Sequence, residues 1–200
     1  MRLLRSIGHI YERTKLARAV RAAPRIRLIL GAAKTAQPGW ISTNRDTLDI
    51  AREQDWRRLL GGRLADALMA EHVWEHLDDD VTARANVLCH RFLKPGGHLR
   101  LAVPDGLNPD PAYREHVRPG GSGPGADDHQ VLYDYRLMTE RLGRTGFTVG
   151  LLEYWDEHGQ FHFTDWSSEG GHIARSRRHD PRNQDGPLRY TSLIVDAVKD

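Results

Sequence analysis

Three absences narrow what this sequence can encode. Among its 200 residues there is a single cysteine, Cys89, so no disulfide can form within the chain, and we expect a reduced thiol packed on a helix. No run of about 18 apolar residues occurs, which predicts no transmembrane helix. The basic start of the chain is not followed by a continuous apolar region, so no signal peptide is predicted. Together these features predict a cytoplasmic protein.

An excess of charge of one sign is also lacking, because the formal net charge is only +2. The charge is unevenly distributed: residues 1–27 contain eight Lys or Arg and one acid, Glu12. Apolar residues at helical spacing in this segment predict a basic amphipathic helix over residues 1–24 that packs on its own domain. Contact with a polyanion such as nucleic acid is the alternative, which we do not favour. The apolar stripe comprises Leu3, Leu4, Ile7, Ile10, Tyr11, Leu16, Ala17 and Val20.

The most informative stretch is residues 64–105. Residues 65–70 form an apolar run of strand length, and polar side chains begin directly after it at Glu71 and His72. Residues 81–92 follow with a helical period, and a second strand ends at Asp105. A strand-helix-strand unit of this kind pairs its strands in parallel with a right-handed crossover. The polar residues are therefore expected on one rim of an open α/β sheet, where ligands bind.

The rest of the chain predicts a single α/β domain over residues 25–200. Within it, residues 105–129 have no helical or strand period and are expected to form a loop over the active site. Residues 155–189 are expected to form a C-terminal arm that includes an antiparallel hairpin. Further strands are predicted at residues 25–30, 40–43, 47–50, 147–154 and 188–198, and further helices at 55–60 and 132–143.

The order of these motifs resembles that of class I S-adenosylmethionine (SAM) dependent methyltransferases. In particular, it is similar to small bacterial predicted methyltransferases related to the type 11 family. The resemblance rests on E-H-V-W-E-H-L at residues 71–77 and F-L-K-P-G-G-H-L-R-L-A-V-P-D at residues 92–105, and it covers roughly residues 25–200. It implies a Rossmann-like three-layer α/β/α fold, with a mostly parallel seven-stranded sheet and an antiparallel last strand. It also implies SAM as the cofactor and methyl transfer to a small or carbohydrate-like metabolite.

The resemblance implies where the cofactor would bind. The turn that begins at Gly31 would lie under the methionine part of SAM, with Ala33 where the family has a second glycine. Asn44 stands where the family has an acid that binds the ribose hydroxyls, and Asp46 is the nearest acid that could replace it. Asp49 would lie near the adenine ring. The cofactor-binding candidates are Gly31, Ala32, Ala33, Asn44, Asp46, Asp49, Glu71 and His72.

Two residues are candidates for the chemistry of the methyl acceptor. Methyl transfer to oxygen or nitrogen often needs a group that takes up the acceptor's proton, and we assign this to Asp105 and His129. An arginine cluster in the arm could bind a carboxylate or phosphate, which favours an anionic or sugar-linked small molecule as substrate. The cluster comprises Arg175, Arg177, Arg178 and Arg182. No feature predicts the oligomeric state.

Three other functions are compatible with parts of the sequence. His72-x-x-Glu75-His76 matches a zinc-hydrolase pattern, but that pattern requires a helix. We instead expect Glu75 and His76 to face solvent at a helix start, and we predict no metal site. A catalytically inactive binding or assembly module is the main alternative, because Ala33 and Asn44 depart from the methyltransferase pattern. A nicotinamide-dependent oxidoreductase is disfavoured, because G-x-G-x-x-G is missing.

Overall fold

The computed structural model describes residues 2–200, and side chains from residue 11 onward. Helices and strands alternate in the first half of the chain, and strands predominate in the second. The helices are α1 (Arg2–Ala22), α2 (Glu53–Leu60), α3 (Asp79–Phe92), α4 (Pro111–Val117) and α5 (Tyr135–Gly143). The strands are β1 (Arg27–Ile29), β2 (Ile41–Ser42), β3 (Ala65–Glu71), β4 (Leu93–Pro104), β5 (Phe147–Trp155), β6 (Phe161–Phe163) and β7 (Ser192–Lys199).

The seven strands form one sheet in the order β2-β1-β3-β4-β7-β5-β6. Strands β2, β1, β3 and β4 pair in parallel. Strand β7 is antiparallel to both β4 and β5, so β5 has the direction of the first four strands, and β6 is antiparallel to β5. The predicted mostly parallel seven-stranded sheet with an antiparallel last strand is confirmed.

The strand predicted at residues 47–50 does not form, and β6 supplies the seventh strand instead. The carbonyl oxygen of Asn44 accepts hydrogen bonds from the amides of Thr47 and Leu48. The carboxylate of Asp49 accepts one from Ala51 at 3.0 Å. These local bonds close turns and compete with the pairing that a strand needs. Leu48 and Ile50 are nevertheless buried in the main core.

Helices cover one face of the sheet, and irregular chain covers the other. Side chains alternate between faces along each strand. Leu28 and Leu68 pack in the main core with residues of α2, α3 and α5. Ile29 and Met69, one residue on, pack in a second core whose cover includes Trp166. One outer layer is therefore helical, and the other is built from the turns before β2 and from the arm between β6 and β7.

Capping residues determine where several helices begin and end. Asp78 starts α3 by accepting a hydrogen bond from the amide of Val81 at 2.8 Å. Asp110 caps α4 in the same way and Pro111 occupies its first turn, so the segment predicted to be irregular, residues 105–129, contains a helix. At the other end of the domain, Arg63 donates to three carbonyl oxygens at the end of α1. Within the described residues, no helix is both long and apolar enough to cross a membrane.

Candidate functional site

A cleft of about 840 Å³ opens where strands β1 and β3 end. Parallel strands end at the same rim, so the turns after β1, β2 and β3 lie side by side there. The cleft has both acidic and basic walls, with three arginines and three aspartates. Its lining residues are Gly31, Arg45, Leu48, Asp49, Ile50, Ala51, Arg52, His72, Val73, His76, Leu77, Asp78, Val81, Arg84, Asp128 and Gln130.

The turn after β1 requires a residue without a side chain. Gly31 has φ +62°, a backbone region that L-residues rarely adopt. A Cβ atom at Gly31 would lie 2.7 Å from Cγ2 of Val73, which is inside van der Waals contact. Ala33, with φ +47°, adopts the left-handed conformation in spite of its methyl group. The backbone at Gly31 thus lies directly against the turn that follows β3.

Asn44 joins the turns after β1 and β2. Its side-chain oxygen accepts a hydrogen bond from the amide of Ala33 at 2.8 Å. Asp46 is exposed, and its carbonyl oxygen accepts a hydrogen bond from Nε of Arg13 at 2.7 Å. Asp49 lies further along the chain and lines the cleft. Of these three polar candidates, Asp49 is the one that the structure places on the cleft wall.

Glu71 and His72 both lie at the end of β3, but Glu71 contacts the arm and His72 lines the cleft. The carboxylate of Glu71 accepts hydrogen bonds from the amides of Ala174 and Arg175, at 3.2 and 2.7 Å, so it binds the arm. His72 lines the cleft, with φ +55°. Its Nε2 atom lies 3.1 Å from the hydroxyl of Ser192. The predicted cofactor residues are therefore divided: Gly31, Asp49 and His72 line the cleft, while Ala32, Ala33, Asn44, Asp46 and Glu71 do not.

Asp105 connects the ends of β4 and β5. Its side chain is completely buried. One carboxylate oxygen accepts a hydrogen bond from the amide of Leu107 at 3.0 Å, and the other accepts one from Trp155 at 2.8 Å. Burial raises the pKa of the Asp105 carboxyl to about 6, although these two amides favour the ionised form. A methyl acceptor in the cleft has no direct route to this carboxyl group.

His129 follows the 3-10 turn at Ala126–Asp128 and lies beside His76, away from Asp105. Its Nδ1 atom is 2.7 Å from the carbonyl oxygen of Val117. Because a carbonyl can only accept, Nδ1 carries a hydrogen, so in the neutral ring the lone pair is on Nε2. The ring packs edge-on against His76, with 4.7 Å between ring centroids. The two predicted catalytic residues thus have separate partners.

The expectation that Glu75 faces solvent is wrong, whereas His76 remains partly exposed, with 29% of its side-chain surface accessible. Glu75 has 0% of its surface exposed. The indole of Trp74 donates to Asn86 at 2.9 Å and is itself buried, which anchors the short 3-10 turn at Trp74–His76. The amide of Gln130 donates to the carbonyl oxygen of Glu75 at 2.7 Å, so the loop before α5 covers it. The sequence did not predict the burial of Glu75, because the contacts that cover it come from Asn86 and Gln130, which lie outside its own segment.

The helical form of the zinc-hydrolase pattern is absent from this segment. His72 ends a strand in a left-handed conformation, and only three residues after Val73 form a 3-10 turn. The spacing that would place His72 and His76 on one helical face is therefore not realised.

The arginine cluster of the arm is mostly engaged within the arm. Arg178 lies 3.2 Å from Asp165, and Arg182 lies 2.6 Å from Asp180. The guanidinium of Arg177 lies over the ring of Phe163, with Cζ 3.9 Å from the ring centroid. Arg175 differs, because within the described chain its guanidinium forms no hydrogen bond or ion pair. It is the member of the cluster that is free to bind an anion.

No protein-family model and no curated protein matches this sequence. The chain is similar to several solved structures. A SAM-dependent methyltransferase from Archaeoglobus fulgidus shares 12% identity at TM-score 0.48, over 96% of this chain and 94% of that one. One from Mesorhizobium loti shares 15% identity at TM-score 0.49, over 90% and 96%. A 16S rRNA adenine methyltransferase from Catenulisporales acidiphilia, solved with SAM, shares 12% identity at TM-score 0.45, over 94% and 90%. Because these identities and TM-scores are low, we base the fold on the strand order of the sheet. We base the proposed activity on the residues of the cleft.

Proposed function

We propose that this protein is a SAM-dependent methyltransferase that acts on a small metabolite, anionic or sugar-linked. The observation that carries the proposal is the cleft at the carboxyl ends of the parallel strands, with the glycine turn after β1 on its wall. In open α/β sheets this rim is the general ligand-binding position. A volume of about 840 Å³ lies in the range of sites for small molecules and cofactors.

The residues of the cleft fit SAM, which carries a sulfonium, an ammonium and a carboxylate. Asp49, Asp78 and Asp128 supply negative charge for the cationic groups, and three arginines supply positive charge for the carboxylate. Asp49 is the carboxylate best placed to accept hydrogen bonds from the ribose hydroxyls, since the Asn44 oxygen is engaged by Ala33. When bound, the cofactor supplies an electrophilic methyl group. The chain supplies orientation and excludes water, which lowers the entropic part of the barrier.

Asp105 and His129 are the proposed residues for handling the acceptor's proton. His129 suits a direct role, because hydrogen bonding of Nδ1 to Val117 leaves the Nε2 lone pair available. Asp105 suits an indirect one, because both of its oxygens hold backbone amides at the rim. Arg175 would bind an anionic group of the substrate, since its backbone amide is held on Glu71 at the end of β3.

The test is a calorimetric titration of the purified chain with SAM and with S-adenosylhomocysteine. We expect both to bind in the micromolar range, and Asp49→Asn to weaken binding about tenfold by removing a charged acceptor. Asp127→Asn is the matched control, because Asp127 is exposed and does not line the cleft. Failure of both ligands to bind at millimolar concentration would exclude the methyltransferase proposal.

A binding or assembly module that retains the fold is the second candidate. It is favoured by the connection from β1 to β2, in which residues 31–40 form turns and no helix follows Gly31. The engagement of Asn44 with Ala33 points the same way, because it occupies the side chain that stands at the ribose position. The same titration discriminates the two, since this candidate predicts that neither ligand binds.

A further inference from the structure

Three potential metal ligands meet at the edge of the cleft. Glu75, His76 and His129 each contribute a ligand atom, and these atoms lie within 4.8 Å of one another. Glu75 and His76 belong to the turn after β3, whereas His129 follows the 3-10 turn at Ala126–Asp128. Neighbouring backbone bonds fix the two segments together, because the amides of Gln130 and Val131 both donate to the Glu75 carbonyl oxygen.

The carboxylate of Glu75 is the observation that calls for a ligand. It is completely buried, and neither of its oxygens has a hydrogen-bond partner in the described chain. Nδ1 of His72 lies 3.0 Å from one oxygen but outside hydrogen-bond geometry. A buried carboxylate is unfavourable unless it is paired, protonated or bound to a metal ion.

The two histidines present the features of metal ligands. Nδ1 of His76 is buried without a hydrogen-bond partner, and its nearest carboxylate oxygen, on Asp128, is 3.5 Å away. His129 directs Nδ1–H at the carbonyl oxygen of Val117, which fixes the tautomer with a lone pair on Nε2. Metal-binding histidines typically donate their second ring nitrogen to a carbonyl or carboxylate in this way.

We propose that Glu75, His76 and His129 bind a divalent transition-metal ion of the zinc class. Two imidazoles and one carboxylate suit such an ion, and three protein ligands leave a coordination position for water or another ligand. In a tetrahedral site with bonds near 2.1 Å the ligand atoms lie about 3.4 Å apart, so binding draws this cluster together slightly. His76 and Asp128 also line the cleft, which places the ion at its edge.

This site does not depend on SAM binding, but it shares His129 with the proposed function. The ligand set differs from the zinc-hydrolase pattern, because His129 takes the place that His72 has there. An ion at this position would use the Nε2 lone pair of His129, so metal binding and the uptake of a proton by His129 exclude one another. Metal binding without SAM binding would support this site alone, and SAM binding without metal binding would support the methyltransferase proposal alone.

The experiment measures binding of Zn²⁺ and Co²⁺ to the chelator-treated full chain by calorimetry and visible absorption. We expect one ion per chain, with a Co²⁺ spectrum of four- or five-coordinate type. Glu75→Gln and His129→Gln should each weaken Zn²⁺ binding at least about tenfold. His158→Gln is the matched control, because His158 is exposed and outside the cluster, and it should bind as the wild type does.

Thermal unfolding with and without Zn²⁺ keeps the proposal testable if one variant folds poorly. An ion that binds only the folded chain raises the melting temperature of the wild type and of His158→Gln, and at the same Zn²⁺ concentration it raises that of Glu75→Gln by clearly less. Unaltered Zn²⁺ affinity in both cluster variants would overturn the proposal. So would stoichiometric binding that is lost in His158→Gln, or no binding by the wild type.

Discussion

At the scale of single residues, the rim of the sheet contains buried carboxylates that differ in their partners. Asp105 accepts two backbone hydrogen bonds, whereas the oxygens of Glu75 have none in the described chain. Glu153 is an intermediate case: burial raises its pKa, while the amide of Arg177 and the indole of Trp166 favour the ionised form. A buried carboxylate thus links the ends of two strands at Asp105 and is a candidate metal ligand at Glu75.

Asp105 makes the stability of the protein depend on pH. The pKa of Asp105 rises from 3.8 in the unfolded chain to about 6 in the fold. The protonated carboxyl therefore adds to the free energy of unfolding in full below pH 3.8, and this stabilisation is lost as the pH rises to about 6. Two pKa units correspond to about 3 kcal/mol. Asp105→Asn should abolish this dependence, as urea unfolding over a pH series would show. Asp127→Asn is the exposed control, and wild-type and Asp105→Asn curves that stay parallel would contradict the assignment.

At the scale of elements, polar side chains of the strands hold the arm between β6 and β7 to the sheet. Arg100 on β4 is 3% exposed and donates to both oxygens of Asp196 on β7 and to the carbonyls of Ser167 and Gly171. Glu71 on β3 and Glu153 on β5 bind amides further along the arm. Hydrogen bonds from strand side chains therefore position the arm. The helical layer on the opposite face is instead positioned by apolar packing.

Replacing Arg100 should release the start of the arm. Arg100→Met leaves Asp196 without its partner, and because the Asp196 side chain is 22% exposed we expect a loss of about 3 kcal/mol in unfolding free energy, at the low end for a broken buried pair. We expect hydrogen exchange around residues 167–171 to accelerate more than exchange in α3. Arg57→Met is the control, since its ion pair with Glu53 is exposed and is worth less than about 1 kcal/mol. Uniform acceleration across the chain would argue against a local role.

At the scale of the whole molecule, stability depends on one large core between the sheet and its helical layer. Leu68 is fully buried at the centre of β3, with β1 and β4 on either side. Trp56 of α2 and Phe92 of α3 stack with 5.5 Å between ring centroids and close the same core. The second core, on the other face, contains fewer residues.

Truncation in the main core should be costly. Leu68→Ala removes buried methyl groups and leaves a cavity, for an expected loss of about 2–5 kcal/mol in unfolding free energy. Val87→Ala on α3, where the side chain is 52% exposed, should change stability by less than about 0.5 kcal/mol. Denaturant unfolding measures both, and equal losses would show that packing in the main core does not dominate stability.

The strands and helices of the central unit could be predicted because their signals are local. The apolar run before Glu71 became β3, and the periodic segment after Asp78 became α3 within two residues of its predicted start. Residues 47–50 were mispredicted as a strand, because side-chain and backbone bonds from Asn44 and Asp49 close turns there. In the candidate site, Gly31 and Asp49 lie on the cleft wall, whereas the carboxylate of Glu71 binds the arm. Their roles in cofactor binding stay predictions.

The sequence by itself determined the order of elements from β3 to β4, the parallel pairing of these two strands and the rim on which their polar residues lie, because periodicity and chain connectivity decide these. Tertiary structure alone decided that Glu75 is buried without a hydrogen-bond partner in the described chain and that His129 lies beside His76. It also decided that irregular chain covers the second face of the sheet. Each of these depends on contacts between segments about 50 or more residues apart, and no local pattern reports such contacts.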